Sequence, residues 1–289
     1  MNFARAKTIL IFIFIFVNIF LLVVYNFLIL DHKTIDEKTL MTVLANNNIT
    51  VDSSVISTEE VTVNGVEVIN SGSDRENFLE SVLGKKYKKI DENTFNSEKM
   101  SVIFSSSLVE ITTKDNKDKK YKDINELNAG NKVLSTLGKM DFDKSHLSAI
   151  NVIKNPKGDF YITVNYSYDD LPVFNHHINV FADSSGIKNI KGSVLSFKEL
   201  KNQSYDLISV SEVLLDFINL KGEELKNGET NIIDVKRGYF LNSGELPVST
   251  YAIPAYEIKL KDGRLFYFDA RKDIDPAFKK LGMGQAQNN

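Results

Sequence analysis

The sequence predicts an α+β fold, in which a single N-terminal transmembrane helix leads into an extracytoplasmic region of antiparallel sheets packed with helices. Three observations predict it. Residues 9–30 read ILIFIFIFVNIFLLVVYNFLIL and carry no charge. Beyond them, amphipathic segments of helical period alternate with β-branched and aromatic runs of period two. A helix followed by an antiparallel meander then occurs twice, with Leu171-Pro-Val173 in the first copy and Leu246-Pro-Val248 in the second each preceding a strand, a glycine turn and another strand.

At about 1.5 Å per residue, a helix over 9–30 is roughly 33 Å long, enough for the roughly 30 Å hydrocarbon core of a bilayer. A buried helix of the same composition is disfavoured because globular helices rarely stay apolar on every face. Arg5 and Lys7 precede the span, while Asp31, Asp36 and Glu37 follow it, so the N-terminus is expected inside and the remainder outside. A cleavable leader has a shorter apolar region and a small-x-small site, whereas this run ends Phe27-Leu28-Ile29-Leu30. The expectation is an uncleaved signal anchor in the cell membrane. Asn18 sits near its middle, and Tyr25 and Asn26 lie towards the outer interface. An amide in hydrocarbon favours a partner helix, which nominates Asn18, Asn26 and Tyr25 as the transmembrane partner interface.

Thr34-x-x-Glu37 reads as a capping box opening a short helix, and Ile49 to Val51 as a brief strand. Asn64-Gly65 within Val61 to Val68 is a two-residue hairpin signal. Ser73-x-x-Glu76 opens a helix that Gly84 stops, and Lys85, Lys86, Lys88 and Lys89 complement the negative end of its dipole. Strands follow near 100–104 and 108–112, and the charged run 114–120 reads as a connector. A helix from Asp123 to Gly138 carries Leu127, Leu134 and Leu137, and precedes strands near 149–154, 160–168, 174–181 and 187–197. Ser209-x-x-Glu212 caps a helix with Leu214, Phe217 and Ile218, and strands near 232–241, 251–260 and 264–270 complete the chain. The expected division is a cytoplasmic tail (1–7), the anchor (8–30), a first α+β subdomain (31–117), a second region with the two repeats (118–275) and a flexible tail (276–289).

With 35 basic and 38 acidic residues the net charge is −3, which gives no general attraction to nucleic acid. Zero cysteines exclude a disulfide framework. Of the four histidines, His176 and His177 adjoin in a predicted strand and so face opposite ways, which excludes them as joint ligands of one metal. No nucleophile elbow, phosphate-binding glycine loop or zinc helix is present. The acid pairs Glu59–Glu60, Asp169–Asp170 and Glu223–Glu224 fall at turns and read as solvated. No catalytic residue, cofactor or metal ligand is nominated.

The opening, Met1-Asn-Phe-Ala-Arg5-Ala-Lys7-Thr8 and then Asn18-Ile-Phe-Leu-Leu22, resembles the start of the YycI (WalI) family. The C-terminal part is similar too, in the order of its motifs: the capped helix at Ser209 to Leu220, Gly238-Tyr239-Phe240, Pro254-Ala-Tyr256-Glu-Ile258, and Gly263-Arg-Leu-Phe-Tyr267-Phe-Asp-Ala270. Tyr256 stands where that family would carry Trp. The resemblance implies a non-enzymatic, membrane-anchored regulator of the WalK/WalR (YycG/YycF) two-component system of cell-wall metabolism. Its implied partners are a YycH-like protein and a WalK-type sensor histidine kinase, and a homodimer is also allowed. The competing expectations are an anchored module that binds a wall or peptide ligand, and an exported enzyme.

Overall fold

A computed structural model describes residues 12–21, 36–57, 61–70, 72, 74–114, 121, 124–224, 228–242, 248–272, 274–275 and 278–285. Among these, residues 12–21 form helix α1. The remaining elements are α2 (Glu37–Asn46), β1 (Ile49–Val51), β2 (Thr62–Asn70), α3 (Arg75–Leu83), β3 (Lys88–Lys89), β4 (Thr94–Asn96), β5 (Met100–Ser105), β6 (Leu108–Thr113), α4 (Glu126–Lys139), β7 (Leu147–Lys154), β8 (Phe160–Tyr168), β9 (Leu171–Asp183), β10 (Gly186–Gly192), β11 (Leu195–Asp206), α5 (Val210–Glu224), β12 (Thr230–Phe240), β13 (Ser249–Leu260), β14 (Arg264–Asp269) and β15 (Lys280–Gln285).

The predicted architecture is corrected. Strands dominate, and all fifteen join one mixed sheet instead of separate antiparallel sheets behind an anchor. No helix among the described residues is long and apolar enough to cross a membrane. Residues 9–11 and 22–30 of the expected span lie outside the described ones. Continuity of the sheet comes from pairings between strands far apart in the chain, which local periodicity does not encode.

Three helices each lead into a four-stranded meander: α3 into β3 to β6, α4 into β7 to β10, and α5, after the intervening β11, into β12 to β15. The last strands of the first two meanders pair antiparallel, with Ile190 opposite Ile111. An eight-stranded antiparallel surface results, in the order β3-β4-β5-β6-β10-β9-β8-β7. Its strands alternate as a half-buried sheet should: Phe160, Ile162, Val164 and Tyr166 are buried, and Tyr161 between them is exposed. Phe78, Leu79 and Val82 of α3 and Ala129, Val133 and Leu137 of α4 complete this first core.

A second core gathers under the third meander, where Leu40 and Leu44 of α2 meet Val213, Leu214 and Phe217 of α5 over Tyr256, Ile258, Leu260, Phe266 and Phe268. β1 adds to it as a parallel strand on β12, with Ile49 opposite Thr230. The Ser209 box forms in full here: the backbone N–H and Oγ of Ser209 donate to Glu212 Oε2 at 2.7 and 2.9 Å, and the Glu212 N–H donates back to Ser209 Oγ at 3.3 Å. Tyr256, the residue that departs from the resembled family, is buried and donates its hydroxyl to the Ile208 carbonyl at 2.8 Å. A phenol reaches that carbonyl in line with the ring.

The two cores meet where β12 passes β9. A single parallel pair, Tyr239 with Val173, joins the strands. The Asn175 carboxamide extends the join by donating to the Leu241 carbonyl and accepting from its N–H at 2.9 Å. Gly238 makes the approach feasible, because a Cβ there would lie 2.3 Å from the Pro172 carbonyl oxygen and 2.6 Å from Phe174 Cζ.

Other local expectations are also corrected. Residues 62–70 are one strand and not an Asn-Gly hairpin, because β2 is bonded on both sides, to β11 and to β13, which holds it extended. The irregularity falls on the partner instead, where the register shifts between Glu199 and Ser204. The first box is displaced: Asp36 caps α2, accepting from the Thr39 N–H at 2.7 Å, while Thr34 and Ser73 lie outside the described residues. Leu127 is 73% exposed, because it lies in the first turn of α4 on the side away from Val133 and Leu137. Within the expected flexible tail, residues 280–285 form β15, which pairs with β14 through Met283 and Phe266.

Phe217 packs edge-on to Phe266 at 5.3 Å and to Phe268 at 6.3 Å, with no exposed surface. Phe217→Ala is expected to cost about 3–5 kcal/mol in denaturant unfolding, and Leu127→Ala less than about 0.5 kcal/mol. Equal losses for the two would contradict this packing.

Candidate functional site

Of the predicted interface residues, Asn18 lies in α1, where its Nδ2 donates to the Phe14 carbonyl one turn earlier at 2.8 Å. This leaves its second N–H and its carbonyl oxygen for a partner. Tyr25 and Asn26 lie outside the described residues, as does His32.

The other histidines build no catalytic relay. His146 Nδ1 is 2.7 Å from Asp143 Oδ2, and its ring stacks on Tyr168 at 5.5 Å. Ser145 Oγ donates to Asp143 Oδ1 at 2.5 Å and also lies 3.2 Å from His146 Nδ1. Serine and aspartate thus meet the same ring nitrogen, whereas an acyl-transfer triad needs them on opposite nitrogens. His176 places Nδ1 3.4 Å from Ser193 Oγ and buries Nε2 without a partner. Burial, and then the neighbouring His177, push its pKa down to about 4. Among the described residues no group of three or more His, Cys, Asp or Glu is placed to hold a metal.

Three cavities among the described residues lie near chemistry-bearing groups, the smallest, of about 210 Å³, beside Glu229, Lys261 and Asp262. The largest of them, of about 500 Å³, is lined by Ala45 of α2, Asn48, Ile49 and Thr50 of β1, Gly228 and Glu229, the last its one acidic residue. The second, of about 240 Å³, sits at the seam between the two cores and brings together Arg237 and Tyr239 of β12, Asp169 of the β8–β9 turn, Leu171 at the start of β9, and residues 61–64, across which β2 begins. Strand geometry puts Arg237 there: it shares a face of β12 with Tyr239, two residues on, and pairs with Tyr256 of β13. Tyr239 belongs to the first core and Tyr256 to the second.

Arg237 is half-buried and forms no hydrogen bond or ion pair with a described residue. Tyr239 donates its hydroxyl to the Asn64 carbonyl at 3.1 Å. Burial, then the nearby Tyr168 and the charge of Asp169, hold its phenol well above the ordinary range. The turn that carries Asp169 is unusual, for both Asp169 (φ 50°) and Asp170 (φ 61°) are left-handed. A two-residue hairpin of this kind ordinarily takes Asn-Gly. Sequence reading took this acid pair for solvated turn residues, and both are exposed; it passed over Arg237, since a lone arginine in a strand gives no local signal.

His176 generates a pH dependence with a definite sign. Above about pH 6.5 the ring is neutral in folded and unfolded chains alike; between about 6.5 and about 4 the unfolded chain binds a proton that the folded chain excludes, so stability falls as pH falls. Between about pH 7.5 and about pH 4.5 the wild type should lose about 2 kcal/mol more than His176→Asn, less than the full shift because the ring keeps some solvent contact. Equal losses in urea unfolding would remove His176 as the cause.

No family model matches the chain, and no curated protein matches it. Among solved structures it is similar to an uncharacterized protein from Eubacterium rectale ATCC 33656, at 9% identity and a TM-score of 0.47, over 87% of this chain and 95% of that one.

Proposed function

We propose that the chain is a non-enzymatic accessory regulator of a WalK (YycG)-type membrane sensor histidine kinase. It acts with a YycH-like partner, held in the cell membrane through the apolar run 9–30 with its C-terminal region outside. The observation that carries this reading is α1, a helix whose ten residues are all exposed, among them Phe12, Phe14, Phe16 and Phe20. Apolar surface so concentrated is covered by lipid or by other helices. Supporting it, the residues that carry the family resemblance are neighbours in space. The Ser209 box caps α5, Gly238 pairs with Ala255, and Tyr256 pairs with Phe268.

In this reading the apolar run 9–30 does the signalling work, by associating with helices of the kinase and of the YycH-like protein. Asn18 contributes one hydrogen bond, worth roughly 0.6–2 kcal/mol between helices in a bilayer.

Asn18→Leu is therefore expected to weaken association about three- to ten-fold without abolishing it. Exchange of residues 9–30 for an unrelated apolar helix should remove regulation while the outer region still folds. The measurements are a two-hybrid assay between membrane segments and reporter output from a cell-wall regulon. Normal regulation with the exchanged helix would overturn the mechanism.

A further inference from the structure

We infer that the cleft between the two cores binds a small zwitterion, of the class of a free amino acid or a dipeptide, with its carboxylate on Arg237 and its ammonium on Asp169. The inference stands on the cleft and does not rest on the regulator reading. Arg237 is half-buried beside a cavity and has no partner among the described residues. A guanidinium presents a planar fork of donors suited to a carboxylate, and arginines taken out of water are ordinarily paired. Among the described residues no carboxylate pairs with Arg237, and the carboxylate of a ligand fits that fork.

Asp169 lines the same cavity, yet forms no ion pair with Arg237. Asp169 is exposed, so its carboxylate is open to the ammonium of a ligand whose carboxylate sits on Arg237. The aspartate is also held there against the preference of the backbone. A left-handed conformation costs an L residue about 1–2 kcal/mol, least for Asn and Asp, and Asn at this place would serve the turn at least as well. The carboxylate is what Asp169 adds.

Size and lining fix the rest of the ligand. At about 240 Å³ the cavity falls below the usual range of drug-sized pockets and suits one or two small residues. Leu171, Val61 and Val63 offer an apolar wall to a short side chain such as a methyl group. Tyr239, its hydroxyl already committed to the Asn64 carbonyl, lines the same cavity.

The test uses the full chain in detergent, titrated calorimetrically with alanyl-alanine, its N-acetyl form, its C-terminal amide, and acetate. Alanyl-alanine should bind, with each blocked form weaker by about ten-fold or more and acetate weaker still. Arg237→Gln should abolish binding and Arg237→Lys should restore part of it, which separates loss of charge from loss of fold. Asp169→Asn should weaken alanyl-alanine about ten-fold but leave the N-acetyl form unchanged, and the thermal midpoint of the free protein should hold or rise. Equal binding of blocked and free dipeptide, or of acetate and dipeptide, would overturn the zwitterion assignment. Absence of binding by alanyl-alanine, or undiminished binding in Arg237→Gln, would overturn the site.

Discussion

The close passage of β12 over β9 is the constraint on which the rest of the structure depends. Only a residue without a side chain can stand at Gly238, because the Pro172 carbonyl and the Phe174 ring occupy the space that a Cβ would need. Around that point the backbone join is short, one parallel pair and the Asn175 carboxamide standing in for a second. Through it the eight-stranded surface of the first two meanders and the meander of the third become one sheet. Arg237 precedes that glycine and Tyr239 follows it, so both face the seam because the strand is pinned there.

Buried polar groups mark the other places where the chain leaves the sheet. Asp269, 2% exposed at the end of β14, takes a bidentate contact from Arg271, whose Nη2 lies 2.6 Å from its Oδ2 and whose Nε lies 2.9 Å from its Oδ1. The same guanidinium sits over the Tyr205 ring at the end of β11. One arginine therefore neutralises a buried charge and clamps two strand ends, a use that needs the planar fork and that a lysine would not serve. Tyr166 plays a comparable part in the first core, donating to the Ser193 carbonyl at 2.5 Å and accepting from the Leu195 N–H at 3.3 Å across the turn from β10 to β11.

What the sequence made legible was local, and what it hid was long-range. The Ser209-x-x-Glu212 box could be read directly because its hydrogen bonds close within one turn. The helix over 126–139 is legible, within three residues at its start, because Leu134 and Leu137 recur at helical spacing, although Leu127, seven residues before Leu134, could not be told apart from them. Asn64-Gly65 misled for the opposite reason: its turn preference is a local energy of order 1 kcal/mol, and two flanking strands outweigh it with ladders on both sides. The single sheet and the cleft at the seam share this origin. Asp169 and Arg237 come from different meanders, and nothing in the neighbourhood of either residue announces the other.

β2 carries a consequence for the order in which the molecule assembles. Its two partners are β11 and β13, which lie in the last third of the chain, and β1 likewise waits for β12. A chain made or exported from its N-terminus presents Val66 and Val68, both fully buried at the end, long before the strands that cover them have emerged. The first two meanders can close on themselves early, through β6 and β10, while β2 remains an unpaired apolar strand with both edges open. Loop closure over such separations is slow, and an open strand of this kind is a template for pairing with other copies. The chain accordingly has a vulnerable interval that ends only when β13 arrives, and truncation anywhere before residue 249 would prolong it indefinitely.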